Sequence, residues 1–211
     1  MSRSVRRALS RILILAGCSL LASSAAYYGA GVYAQATVPA DLPLPASEAP
    51  PEGAPLLRLR IPKIGLETAV FEGISDASLI KGPGHLPGTD VPGRSSAYNN
   101  CVIAGHRDSF FRKLGWLRAG DSVRVQAGGI DREYRFVRRR VVKPEQVAIA
   151  GPTKQPQLTL ITCYPFDWIG PAPYRLIWEA RPVAGSAGQN VANAASSVTR
   201  GAVSASDATK R

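Results

Sequence analysis

The pattern of apolar and polar side chains divides the chain into unlike parts. Residues 12–34, "ILILAGCSLLASSAAYYGAGVYA", carry no charge. As a helix rising 1.5 Å per residue, this segment reaches about 34 Å, enough to cross a bilayer core of roughly 30 Å. Arg3, Arg6, Arg7 and Arg11 precede it, whereas residues 35–57 hold Asp41, Glu48 and Glu52 and neither lysine nor arginine. That asymmetry predicts a basic cytoplasmic N-terminus (1–11), a single transmembrane signal anchor (12–34) and everything after it outside the cytoplasmic membrane. Tyr27, Tyr28 and Tyr33 stand where an interfacial aromatic belt is expected. Two other readings of the stretch stay open. "AQA" (34–36) has the form of a signal cleavage site, and "LAGC" (15–18) that of a lipoprotein box. The length of the apolar run, which continues past Cys18, favours an uncleaved anchor.

From residue 56 the period changes to two. "LLRLRI" (56–61) alternates, and "CVIAG" (101–105), "SVRVQA" (122–127), "YRFVRRRVV" (134–142), "LTLITC" (158–163) and "YRLIWEA" (174–180) are further candidate strands, separated by Gly, Pro and Asp turns. Helical signals are short: "SDASLI" (75–80) and "DSFFRKLGWL" (108–117), the second opening on Asp108 as a candidate N-cap. Many short strands with few helices predict a mainly β domain over 56–183, a barrel or a sandwich. Residues 35–55 are rich in Pro and Ala and read as an extended, semi-rigid spacer. Residues 184–211 are small and polar and predict a disordered tail.

Charge and cysteine content then narrow the chemistry. A net charge of +11 first suggests nucleic acid. The positive residues are dispersed, however, and four of them crowd the membrane-facing end, so the membrane is the expected partner and nucleic acid is not. "RRR" (138–140) reads as a solvated strand face. Cys18, Cys101 and Cys163 are widely spaced and the chain has two histidines, too few for a zinc cluster. No metal or cofactor is expected. At most Cys101 and Cys163 could pair.

A lone cysteine in an apolar strand is more often packing than chemistry. Cys163, in "LTLITCYPF", differs in its position, because Tyr164-Pro165 ends the strand immediately beyond it. "CVIAGHRDSFF" likewise runs as a strand and delivers His106 just past a glycine. A thiol and an imidazole at two strand mouths suit a nucleophile and its acid-base partner. Arg175 opens the next strand twelve residues after Cys163, so a hairpin can bring it opposite the thiol, where a cation steadies a thiolate and an oxyanion. Thr162 and Tyr164 flank the nucleophile as candidate substrate contacts. His85, in a Gly/Pro loop, reads as a loop-fixing hydrogen-bond group, and Cys101 as strand packing.

"TLITCYPF", "VIAGHRDSFFRKL" and "GPAPYR" resemble, in order and spacing, the signature segments of the sortases, membrane-anchored cysteine transpeptidases, most closely class D. "CYPFD" also resembles sortases of Gram-negative bacteria. The resemblance covers about residues 56–183 and includes "RLRIPKIGLETAVFEGISDASLIKGPGHLPGT", similar to the family's opening strands and short helix. It implies a closed β-barrel of about eight strands. It also implies Cys163 as the nucleophile on a threonyl carbonyl of an LPxTG-like sorting signal, His106 as acid and base, and Arg175 as substrate orienter and oxyanion holder. The implied partners are secreted proteins bearing sorting signals and an amine acceptor of the cell envelope or another protein. Two other classes compete with this reading: a thiol hydrolase using water alone, and a non-catalytic anchored binding domain.

Overall fold

The computed structural model describes residues 3–40, 42–43, 50–92 and 99–185. The tail expected to be disordered lies, from residue 186 on, outside the described residues.

Helix α1 (Arg3–Ala36) takes in the whole apolar segment and the basic residues before it, and is long and apolar enough to cross a membrane. Eight strands follow: β1 (Pro55–Ile61), β2 (Leu66–Glu72), β3 (Gly84–His85), β4 (Asn100–Gly105), β5 (Ser122–Ala127), β6 (Ile130–Val142), β7 (Gln157–Tyr164) and β8 (Tyr174–Pro182). They close into one barrel in the order β1-β2-β3-β4-β7-β8-β6-β5, with β5 pairing back onto β1. Two of the pairings are parallel, β2 with β3 and β4 with β7; the others are antiparallel. The barrel is filled by alternate residues of its strands, among them Leu57, Leu59, Ile103, Val125, Phe136, Leu160 and Trp178.

A short helix, α2 (Asp76–Lys81), begins where the sequence places one, with the Ser75 hydroxyl accepting from the Ser78 amide at 3.4 Å. The helix expected over 108–117 does not form. That segment is a series of turns closing in a 3-10 turn at Leu114–Trp116. Tertiary contacts decide the matter: Phe111 is wholly buried in the barrel, and the Leu114 carbonyl accepts a 3.0 Å bond from the Trp178 indole N–H.

Residues 35–40 and 42, read from composition as spacer, lie against the sheet. The Gln35 amide bonds the carbonyls of Ala69 and Lys81 at 3.0 and 2.9 Å and accepts from the Ala69 N–H at 2.8 Å, standing in for a strand partner. Val38 and Leu42 pack with Ala69 and Phe71. Gly31 lies so close to α2 that a Cβ there would come 2.7 Å from the Ile80 carbonyl oxygen. Prolines and alanines gave no periodic signal of this docking.

The core also sets a pH limit. Burial, helped by Asp90 and Glu72, pushes the Cys101 thiol far above its ordinary value of 9.0. Burial likewise pushes the Tyr134 hydroxyl up to about 12. Below about pH 8 both groups are protonated in the folded and the unfolded chain, and their burial carries no pH-dependent penalty. As pH rises further only the unfolded chain gives up these protons, so stability falls by about 1.4 kcal/mol per pH unit for each group ionised there. The melting temperature should therefore drop between about pH 8 and pH 10.5, and Cys101→Val should make the drop shallower. An equal slope in the variant rules out the thiol's share.

Candidate active site

β7 lies between β4 and β8, and its alternation assigns the faces. Leu158 and Leu160 point into the barrel core, as do Leu176 and Trp178 on β8. Residues of the opposite parity share the outer face, where Thr159 pairs with Glu179, Ile161 with Ile177 and Cys163 with Arg175. On the other flank β4 runs parallel to β7, pairing Ile103 with Leu160, Ala104 with Ile161 and Gly105 with Thr162. That pairing ends at Gly105 and Thr162, so His106 leaves β4 immediately beyond it, at the end of the strand that neighbours the Cys163 end of β7. All three residues are half-buried.

Local packing holds each of them. A Cβ on Gly105 would lie 2.7 Å from the Phe111 ring, so only glycine lets the buried ring close under the strand end. The Phe111 N–H then bonds the His106 carbonyl at 3.1 Å, fixing where the histidine leaves the strand. Cys163 is followed by Tyr164, whose peptide bond to Pro165 is cis. The Tyr164 ring packs at the edge of the core, meets Phe166 edge-on at 5.9 Å and carries the Arg139 guanidinium 5.9 Å above it. The Arg175 Nη1 donates to the carbonyls of Ala172 and Tyr174 at 3.2 and 3.0 Å, so the guanidinium rests on its own loop.

Thr162 departs from its expected role as a substrate contact. It is buried on the face opposite Cys163, and its hydroxyl donates to the Gly105 carbonyl at 2.7 Å. It therefore ties β7 to β4 directly below the site. Cys101 sits in the core, five residues before His106 and roughly 16 Å along the strand from Cys163. That distance is far beyond disulfide reach, and all three cysteines are free thiols. His85 is buried, with Nδ1 2.7 Å from Glu72 Oε2 and Nε2 within 3.1 Å of Thr89 Oγ1 and the Asp90 carbonyl. Glu72 was not read from the sequence as its partner, because the two meet only through the parallel β2–β3 pairing. Arg107 was also missed, although it stands beside His106 in "GHRD". A cavity of about 550 Å³ lies elsewhere, between α1 and the turn at 108–113, and none of Cys163, His106 and Arg175 lines it.

Comparison with known proteins places this arrangement. The sortase domain family model matches residues 59–183, and the chain belongs to the sortase family. It is 35% identical over 120 residues to sortase D of Bacillus subtilis (strain 168), covering 56% of this chain and 59% of that protein, so the match spans less than two thirds of the relative. Among solved structures, sortase A of Corynebacterium diphtheriae aligns with a TM-score of 0.58 at 27% identity, over 70% of this chain and 66% of that one. Sortase C of Clostridium perfringens SM101 gives a TM-score of 0.56 at 27% identity, over 63% and 72% of the two chains. The sortase D5 transpeptidase of Clostridium perfringens, at 24% identity, shares the fold with a TM-score of 0.57 over 64% and 83%. Within the family the chain is most like class D.

Proposed function

We propose that the chain is a cysteine transpeptidase carried on a single membrane span, with its barrel outside the cytoplasmic membrane and Cys163, His106 and Arg175 as its catalytic residues. His106 takes the Cys163 thiol proton as the sulfur attacks the threonyl carbonyl of an LPxTG-like sorting signal, forming a C–S bond and a tetrahedral oxyanion that Arg175 steadies. The C–N bond breaks as His106 gives its proton to the departing amine, leaving a thioester on Cys163. An amine of the cell envelope or of another protein then attacks the thioester. His106 takes that amine's proton, the C–S bond breaks, and the product leaves as an amide.

Arg175 rests on the loop carbonyls of Ala172 and Tyr174 through Nη1, which leaves Nη2 and Nε to meet the oxyanion as the side chain shifts toward it. The observation that carries this reading is the direct pairing of Cys163 with Arg175 across β7–β8, with His106 following Gly105, the last β4 residue paired to β7. The anchor reading draws on α1 and on the arginines at its start.

Incubation with an LPxTG-type peptide, with and without an added amine such as triglycine, tests the reading by mass spectrometry. The expected products are a thioester on Cys163 and an amide that forms only with the amine. Carboxylic acid alone under both conditions would instead indicate a thiol hydrolase. No turnover, together with a Cys163 inert to thiol reagents, would falsify the enzyme reading.

A further inference from the structure

The loop between β7 and β8 is held by two arginines, Arg175 of β8 at its C-terminal end and Arg107, in the turn after β4, at its crown. At its C-terminal end Arg175 bonds Ala172 and Tyr174. At its crown Arg107, the neighbour of His106, donates from Nη2 to the Trp168 carbonyl at 2.7 Å and to the Gly170 carbonyl at 2.8 Å. The Trp168 indole closes the turn on the Pro171 carbonyl at 2.9 Å. Between the two carbonyls that Arg107 grips stands Ile169, 97% exposed, so no apolar contact of its own holds the crown down. The grip therefore rests on hydrogen bonds from a charged donor, the strong kind. Arg107 Nη1 is buried and has no hydrogen-bond partner among the described residues. A guanidinium is held there despite an unsatisfied donor.

We propose that Arg107 is a positioning residue that pins the crown of the β7–β8 loop to the His106 segment, so that Arg175 can shift toward the reacting carbonyl without the loop drifting away. The role of Arg175 in this proposal rests on the transpeptidase reading; the clamp itself does not. Arg107 joins the two segments that carry the acid-base residue and the oxyanion holder. Its two bonds are independent of those of Arg175. Lysine keeps the charge, but its ammonium sits on a flexible stem without the rigid planar guanidinium, so it holds the two carbonyls less firmly.

The test compares Arg107→Ala and Arg107→Lys with the wild-type chain in detergent. Amide hydrogen exchange over residues 166–173 should speed up about 10- to 100-fold in Arg107→Ala, the loss expected for charge-assisted bonds, and Arg107→Lys should recover only part of it. With an LPxTG-type peptide and an amine, kcat/KM should fall by about 10-fold or more, mainly through KM, while the melting temperature stays within about 3 °C of wild type. Unchanged exchange overturns the clamp. Faster exchange with unchanged kcat/KM overturns its part in the reaction, as does a loss of activity that only tracks a lower melting temperature. If the wild-type chain turns over no peptide, the transpeptidase reading and the catalytic part of this proposal both fail. The exchange result then decides the clamp alone.

Discussion

Replacing Cys163 by alanine lowers peptide turnover by at least about 10⁴-fold and moves the melting temperature by no more than about 3 °C, as measured by product formation and thermal melts on the same sample. The first half follows from the absence of a substitute nucleophile. Cys101 is buried in the barrel, its thiolate strongly disfavoured by that burial, and Cys18 lies in α1. The second half follows from position, since Cys163 is half-buried on the outer face and takes no part in the core cluster. In a Cys18→Ser background iodoacetamide should modify one thiol of the folded chain and none in Cys163→Ala. His106→Ala should lose about 10²- to 10⁴-fold with the fold intact. Turnover above about 1% of wild type in Cys163→Ala would sink the assignment.

The second large effect is on stability, and it comes from the other histidine. His85 and Glu72 form a buried pair, exposed by only 2% and 4%. Removing the imidazole strands a carboxylate where water cannot reach it. The cost of breaking such a pair is about 3–5 kcal/mol, a large part of the 5–15 kcal/mol that holds a typical domain together. His85→Ala should thus melt about 6–20 °C below wild type, on the order of 2–4 °C per kcal/mol. Glu72→Leu combined with His85→Leu should recover much of the loss, because an apolar pair leaves no stranded charge. Activity per folded molecule should be unchanged in both. A His85→Ala chain that is stable but inactive would reverse the roles given to the two histidines.

The sequence disclosed the three candidate catalytic residues better than their surroundings. Cys163, His106 and Arg175 each stand at the end or start of a strand whose alternation is legible, and the spacing of Cys163 and Arg175 fits a hairpin. The barrel pairs them residue for residue. Thr162 could have been placed by the same alternation, since a neighbour of Cys163 in a strand must face the other way. β3, a strand of two residues, is too short to show any period. The segment at 108–117 carries helical spacing, but the buried Phe111 and the bond from Trp178 outweigh so short a helix. Gln35 acts as a strand partner through its side chain, a contact that no pattern of apolar residues encodes.

The parallel pairing of β4 with β7 brings Gly105 and Thr162 together across a separation of 57 residues. Such contacts form late, because a long loop must close before they return any stabilisation. Until it closes, Cys163 has at most the local hairpin around it and no imidazole. Under the transpeptidase reading, the strands that carry Cys163, Arg175 and the His106 segment come together only with barrel closure.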